Sequence, residues 1–525
     1  MICDAQSLPD ESDGSGEVLV IGSGPVGLVI ARRLAELGVG ATVLEAGVDL
    51  PDGRDRDCLN VEFSDQVLEG VQLGRTRQLG GGLNLWGGQL ARFHATTLDG
   101  PRSPWPIDAD ELAAPFKIAS RLLGASQTMP TPPDFMPDMK ARMARFRLEP
   151  IATTWLSAPK WTRTVWSELE RSRRIRIVLG AAASAIVLDR TTGRVRGVVA
   201  RTRDQNRRVF TSRVVIIAAG TIESVRLLLQ PAEDAWAQPW HELPWLGRGF
   251  CEHLEAAVAK VAVQSQQRLA DYFDPAVGYG VKQTWKLFGR VALDEAEDLC
   301  GVVMLSAPGN LRNSLAELRL LLRTMTPRTL PHSMPKMWAA VASSVREVGP
   351  LAWRYLRHRR IGSYFRGSPI LRASIEQPIR WQNRLELATG FDCLGIRRVK
   401  LHWRTGCEEG IVLRTLAERA AAWIEAEGMG RAEIDPGLLH DPEAFAQGAD
   451  EGLHHAGGAR MSVSARDGVV DSNLGVHGVE GLYVCSAAVF PRADYANPTL
   501  PAAALGVRLA QHLARSMETH RRSAA

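Results

Sequence analysis

The sequence predicts an α/β fold, in which an open parallel sheet flanked by helices joins a second, mainly antiparallel-sheet domain that carries a helical insert. Three observations predict it. Val18-Leu19-Val20-Ile21 is a β-branched apolar run too short for a buried helix, and glycines, a helical pattern over 28–37 and a second strand over 41–44 follow it. Val214-Val215-Ile216-Ile217 repeats the theme, running into Ala218-Ala219-Gly220 and helical spacing. Residues 376–378, 383–387 and 399–403 instead read as antiparallel strands.

The first unit carries most of the information. Gly22-Ser23-Gly24-Pro25-Val26-Gly27 joins strand to helix, and Glu45 stands at the end of the second strand. Glycines Gly22, Gly24 and Gly27 let the backbone turn tightly and approach a pyrophosphate, which the helix N-terminus then holds. Glu45 is placed to accept hydrogen bonds from a ribose diol and disfavours a 2′-phosphate. Strand, glycines, helix and acid in register predict dinucleotide binding. They leave open whether the dinucleotide is FAD or NAD.

Bulk properties narrow the class. The chain has 525 residues, enough for two domains with large cores. A net charge of +5 over that length makes no case for nucleic acid. Seven scattered cysteines, never spaced C-x-x-C, form neither a disulfide framework nor a zinc site and fit a reducing compartment. Residues 1–16 carry acids and no basic residue, so they read as a disordered leader of a cytoplasmic protein rather than a signal peptide. No apolar run is long enough to span a membrane.

A second glycine cluster lies in Arg75-Thr76-Arg77-Gln78-Leu79-Gly80-Gly81-Gly82-Leu83-Asn84-Leu85-Trp86-Gly87-Gly88. Neither a helix nor a strand interior tolerates so many glycines, and a surface loop rarely holds a Trp between leucines, so this stretch reads as a ligand cradle. Residues 175–179, 185–188 and 195–200 read as a meander with a turn at Thr192-Gly193. The stretch 306–366 reads as a basic helical insert, with Arg323, Arg346, Arg354 and Arg357 interleaved by Trp338, Trp353 and Tyr355. Such a segment suits an anionic membrane surface. Pro327, Pro331, Pro335 and Pro350 break its amphipathic face, however, and a solvated lid is the favoured reading.

Taken together, these motifs resemble the glucose-methanol-choline (GMC) flavin-dependent oxidoreductases. The resemblance rests on the Gly22–Gly27 fingerprint with Glu45, on Arg77 to Gly88, on Trp105-Pro106, and on Val214 to Glu223. It rests further on Gly247-Arg248-Gly249-Phe250 with Glu252-His253, and above all on the stretch from His454 to Leu505. It implies a Rossmann-like FAD-binding domain of GMC type formed by 15–254 and 446–525, with a substrate domain over 255–445. It also implies that the cofactor is FAD, contacted by Gly22, Gly24, Gly27, Glu45, Arg77, Gly80, Gly81, Asn84, Gly87, Ala183, Gly220, Ser486, Pro498 and Thr499. Some members bond the flavin to a His in the second glycine cluster. The equivalent position here is Leu85, so the expected FAD is non-covalent.

Alcohol oxidation by a flavin requires loss of the hydroxyl proton as a hydride leaves carbon, and a neutral imidazole suits the proton. A second polar group should hold the oxygen as it gains charge. The resemblance puts His454, in His454-His455-Ala456-Gly457-Gly458, in the first role and Asn497 in the second. His455 follows directly and, on an extended backbone, would point to the opposite face. His253 reads as structural. The implied substrate is a small-molecule alcohol, with a sugar-like or aminocyclitol (aminoglycoside-type) hydroxyl as first expectation, and the electron acceptor, oxygen, a quinone or another, stays open because no motif marks it. Two rivals are an NAD-dependent dehydrogenase and a flavoprotein of this fold with lyase-type chemistry.

Overall fold

The structure is a computed structural model that describes residues 1–13, 17–49, 51–125, 136–156, 161–233, 236–278, 281–295, 297–306 and 368–524. The expected insert, but for Ser306, lies outside them. Four sheets organise the described residues.

The first sheet has six strands, all parallel, in the order Ile2–Asp4, Ile175–Leu179, Ala41–Leu44, Val18–Ile21, Val215–Ile217, Leu482–Val484. Every residue of Val18–Ile21 and Ala41–Leu44 is buried, which is why these strands read as unbroken apolar runs rather than as alternation. The helix after the first strand spans Pro25–Glu36, three residues earlier than its apolar spacing indicated, because Gly24 caps it and Pro25 occupies the first turn. The C-terminal helix Thr499–Ala524 packs closely on it: a Cβ on Gly506 would lie 2.8 Å from Ile30 Cγ1.

Residues 1–16 are not a disordered leader throughout. Ile2–Asp4 extends the parallel sheet beside Ile177–Leu179, and Glu11–Asp13 pairs with Val209–Thr211 at the edge of a four-stranded sheet. A charged, short sequence can be ordered by backbone pairing with an existing edge, which periodicity does not reveal. The predicted meander forms the rest of that second sheet as Ala182–Leu188, Val195–Arg201 and Arg207–Thr211.

The third sheet is the large antiparallel one, nine strands centred on Leu254–Val263, Val281–Ala292, Asp298–Ser306 and Ile370–Ile375. It also takes Gln89–Leu90 and Glu149–Leu156, two strands from within the 15–254 stretch. The helix Cys407–Ala426 covers one of its faces. Residues 376–378 are not a strand. The strand ends at Ile375, and Glu376 and Gln377 follow it as buried polar residues held by Arg492 and by Glu409 and Trp403. Arg384–Phe391 and Arg397–His402 pair as expected, but they join Val61–Phe63 in a separate three-stranded sheet. Their turn residues Asp392 and Ile396 wall the nucleotide cavity.

Candidate functional site: a nucleotide cavity leading to a histidine cluster

A cavity of about 270 Å³ opens where the parallel strands end. Gly22, Gly24, Glu45, Arg77, Gly81, Ala183, Gly220, Ser486, Pro498 and Thr499 all line it. Gly27, Gly80, Asn84 and Gly87 do not, and each has another part. A Cβ on Gly27 would fall 1.9 Å from Gly22 O, so this glycine permits helix and strand to touch. Gly80, at φ 90°, donates its N–H to Ser23 Oγ at 3.1 Å. The Asn84 amide donates to the carbonyls of Leu79 and Gly81, both at 3.0 Å, and so braces the glycine loop from within. Gly87 admits the Trp155 ring, which would stand 3.1 Å from a Cβ there.

The remaining details fit a flavin dinucleotide. A Cβ on Gly24 would meet nothing within 4 Å, so the glycine serves the space beside it rather than the packing of the chain. Glu45 is buried, accepting from Ser23 N at 3.1 Å, Ser23 Oγ at 2.5 Å and Gly47 N at 2.8 Å. Burial raises its pKa against those hydrogen bonds. Arg77 Nε is buried with no hydrogen-bond partner among the described residues, a donor left for a ligand. At the far wall Arg226 ties the small sheet to the cavity. Its guanidinium meets Asp392 Oδ2 at 2.7 Å and Glu223 Oε2 at 3.1 Å, all but sealed from solvent. Removing one partner of such a buried pair costs on the order of 3–5 kcal/mol.

His454 and Asn497 come together beside this cavity, whose lining includes their chain neighbours Leu453, His455 and Pro498. Asn497 Nδ2 lies 2.7 Å from His454 Nε2. An amide N–H donates, so Nε2 accepts and the His454 proton resides on Nδ1. Nδ1 lies 3.0 Å from His253 Nδ1, which must then accept. The other N–H of His253 faces the Asp494 carbonyl. The three groups thus form a directed chain that keeps the Nε2 lone pair on the Asn497 side. His253 is therefore part of the cluster, and its position in the Glu252-His253 turn was the available signal. Glu252 fixes the backbone of both histidines, its Oε1 accepting from His253 N at 2.8 Å and from His454 N at 2.5 Å. His455 turns away: it lines the nucleotide cavity, its carbonyl takes the Thr221 hydroxyl at 2.6 Å, and its ring stacks near Phe250. Its Nε2 stands 3.3 Å from Glu252 Oε2 but out of hydrogen-bond alignment. Leu453, at φ 61°, supplies the sharp backbone turn that separates these directions.

Burial sets the protonation states. It lowers His253 to about 4 and His455 to about 3, and holds His454 well below the usual imidazole range. Burial also pushes Glu252 up to about 8 and Asp494 to about 6. At neutral pH the imidazoles are neutral bases, and Glu252 is mostly an uncharged acid. Lys286, lowered to about 8 by desolvation, acts electrostatically on both His253 and His454. No sequence signal marked it out, since it stands in a strand as one polar residue among several.

Comparison with known proteins follows the same lines. Residues 161–255 and 380–506 match the N- and C-terminal domain models described as GMC oxidoreductase. No curated protein sequence matches the chain. Among solved structures, formate oxidase of Aspergillus oryzae RIB40 superposes with a TM-score of 0.57 at 15% identity, covering 97% of this chain and 100% of that one. Pyridoxine 4-oxidase from Mesorbium loti gives 0.56 at 14% identity, covering 94% and 98%. At these identities the likeness shows the fold. The matched segments hold Ala183, Gly220, Glu252 and His253 on one side and His454, Ser486, Asn497 and Thr499 on the other. With segments that match the N- and C-terminal GMC oxidoreductase domain models and a nucleotide cavity fitted for FAD, the chain is an FAD-dependent oxidoreductase.

Proposed function

We propose that the protein oxidises a primary or secondary alcohol to a carbonyl, with His454 as the base and Asn497 holding the substrate oxygen. The observation that carries this reading is the 2.7 Å approach of Asn497 Nδ2 to His454 Nε2. In the bare chain the amide N–H and the imidazole lone pair satisfy each other, and a hydroxyl that enters between them would give its proton to Nε2 while its oxygen accepts from the amide. FAD bound in the adjoining cavity supplies the hydride acceptor. The proton stays on His454 Nε2 while Nδ1–H remains bonded to His253, so the imidazolium is stabilised where it forms. Leu85, exposed and purely hydrocarbon, offers no atom for a covalent flavin bond, which supports non-covalent FAD. The electron acceptor is oxygen or a quinone. A sugar-like hydroxyl suits the His454–Asn497 pair, whereas the aminocyclitol end of the expected range would bring cationic groups beside Lys286.

Anaerobic titration of the flavin absorbance with a panel of sugars, hydroxy acids, aminoglycosides and simple alcohols tests the proposal. One class should bleach the flavin, and His454→Ala should slow bleaching by roughly 10²–10⁴-fold with FAD still bound. A flavin that no alcohol bleaches would favour the lyase-type reading, and equal rates in the variant would remove His454 from its role.

A further inference from the structure

Lys286 lies in the Val281–Ala292 strand and is only 6% exposed. Among the described residues its ammonium makes no hydrogen bond and no ion pair. The carboxylate that acts on it, Glu255, does so from beyond ion-pair distance. Its direction follows from the strand. Leu287 and Gly289 alternate with it toward the Cys407–Ala426 helix, where a Cβ on Gly289 would meet Leu416 Cδ2 at 2.5 Å. On the opposite face Thr284 accepts the Trp155 indole N–H at 2.9 Å, and Phe288 stacks on His94 at 4.3 Å. Phe288 also meets Tyr495, two residues before Asn497, at 5.4 Å. Lys286 shares that face with Thr284 and Phe288, so it stands on the Tyr495 side of the strand, and its charge acts on His253 and His454 in the chamber beside Asn497.

An ammonium taken out of water without a partner costs several kcal/mol, on the order of the penalty for each ion of a buried pair. Among the described residues no carboxylate stands within ion-pair distance to offset it. The imidazoles are neutral, Glu252 is mostly protonated, and Asp494 is engaged by His94 N at 2.5 Å and Cys300 Sγ at 3.3 Å. The ammonium therefore has no counter-charge close enough to pair with it among the described residues. A carboxylate matches that deficit. A phosphate ester, with about −1.5 to −2 at neutral pH, would bring excess charge into the same dry space.

We propose that Lys286 is a specificity-determining residue that binds a carboxylate on the substrate, so that the alcohol oxidised at His454 is a hydroxy acid. This rests on the alcohol-oxidising reading above, and its test is independent of turnover. Acetate and benzoate, which carry no hydroxyl to oxidise, are titrated into the FAD-loaded protein and followed by the flavin visible spectrum. Each is compared with its neutral isostere, acetamide or benzamide. Wild type should bind each carboxylate roughly tenfold or more tighter than the amide, as expected when a hydrogen bond becomes charge-assisted. Lys286→Met, with its flavin spectrum intact, should bind acid and amide alike, and Lys286→Arg should keep the preference. Equal affinities in wild type, no response to either carboxylate, or a preference that survives in Lys286→Met would each overturn the assignment. If the preference holds but no alcohol reduces the flavin, the proposed reaction fails while Lys286 remains a carboxylate site.

Discussion

His253 offers the sharpest test of how the cluster works. Replacing it with Leu removes the acceptor at 3.0 Å from His454 Nδ1 and touches neither Nε2 nor Asn497. The Nδ1–H is then a buried donor without a partner, a loss of about 1–3 kcal/mol. The opposite tautomer, which puts the proton on Nε2 and faces it against the Asn497 amide, becomes the alternative. Catalysis requires the first tautomer, so the loss appears in the rate of substrate reduction of the flavin as a fall of roughly fivefold to 150-fold, at 1.36 kcal/mol per tenfold. The assay is anaerobic stopped-flow reduction by the best alcohol of the panel, with bound FAD and the circular dichroism spectrum as controls. His253→Asn presents an amide oxygen and should recover much of the rate. If His253→Leu reduces as fast as wild type, or His253→Asn is no better than His253→Leu, the histidine is structural and the directed chain does not position His454.

Other consequences follow from charge and space. Because His454 acts as a neutral base held well below the usual imidazole pKa, kcat/KM should be undiminished at about pH 6.5 and fall only well below it. Lys286→Met removes a positive neighbour, eases protonation of His454, and should move that fall to higher pH. Glu252 titrates near 8 in the fold against 4.5 when exposed, so its contribution to stability is complete below the exposed value and is lost as pH rises through the folded one. Glu252→Gln keeps the shape without the titration, and its Tm relative to wild type should climb between about pH 5 and about pH 9; a flat difference would show that Glu252 does not ionise there. Gly24→Ala should leave apoprotein stability near wild type yet weaken FAD binding, since its Cβ meets only open space in the bare chain. Gly27→Ala should lower Tm with or without FAD, because its Cβ falls 1.9 Å from Gly22 O; the reverse pattern in thermal melts of the two apoproteins would refute the division.

What the sequence made legible were features written in local order. The Val18–Ile21 strand, its glycines and Glu45 are contiguous, and period and turn chemistry alone place them together. His454 and Asn497 are 43 residues apart, and only the motif around each indicated that they meet. Features created by pairing between distant segments stayed hidden. Ile2–Asp4 has no strand pattern of its own and is ordered by the Ile175–Leu179 edge. Asn84 looks like a ligand residue from its place in the glycine cluster, yet its amide is spent on the loop carbonyls. His253 and Lys286 acquire meaning only when the antiparallel sheet brings strands Leu254–Val263 and Val281–Ala292 beneath the C-terminal segment.

The cluster also shows why a base and a lone cation belong in one dry chamber. Burial above all keeps three imidazoles neutral, and a neutral imidazole accepts a proton only if the resulting imidazolium is stabilised. Lys286 opposes that by repulsion while its charge is uncompensated. A bound carboxylate would cancel the repulsion at the moment substrate arrives, raising the basicity of His454 only in the complex. The base would then be weak in the empty enzyme and competent beside its substrate, and the acid limb of kcat should lie above that of kcat/KM for a hydroxy acid. For a neutral alcohol the two limbs should coincide. Identical limbs for both substrates would break the link between substrate charge and the readiness of His454.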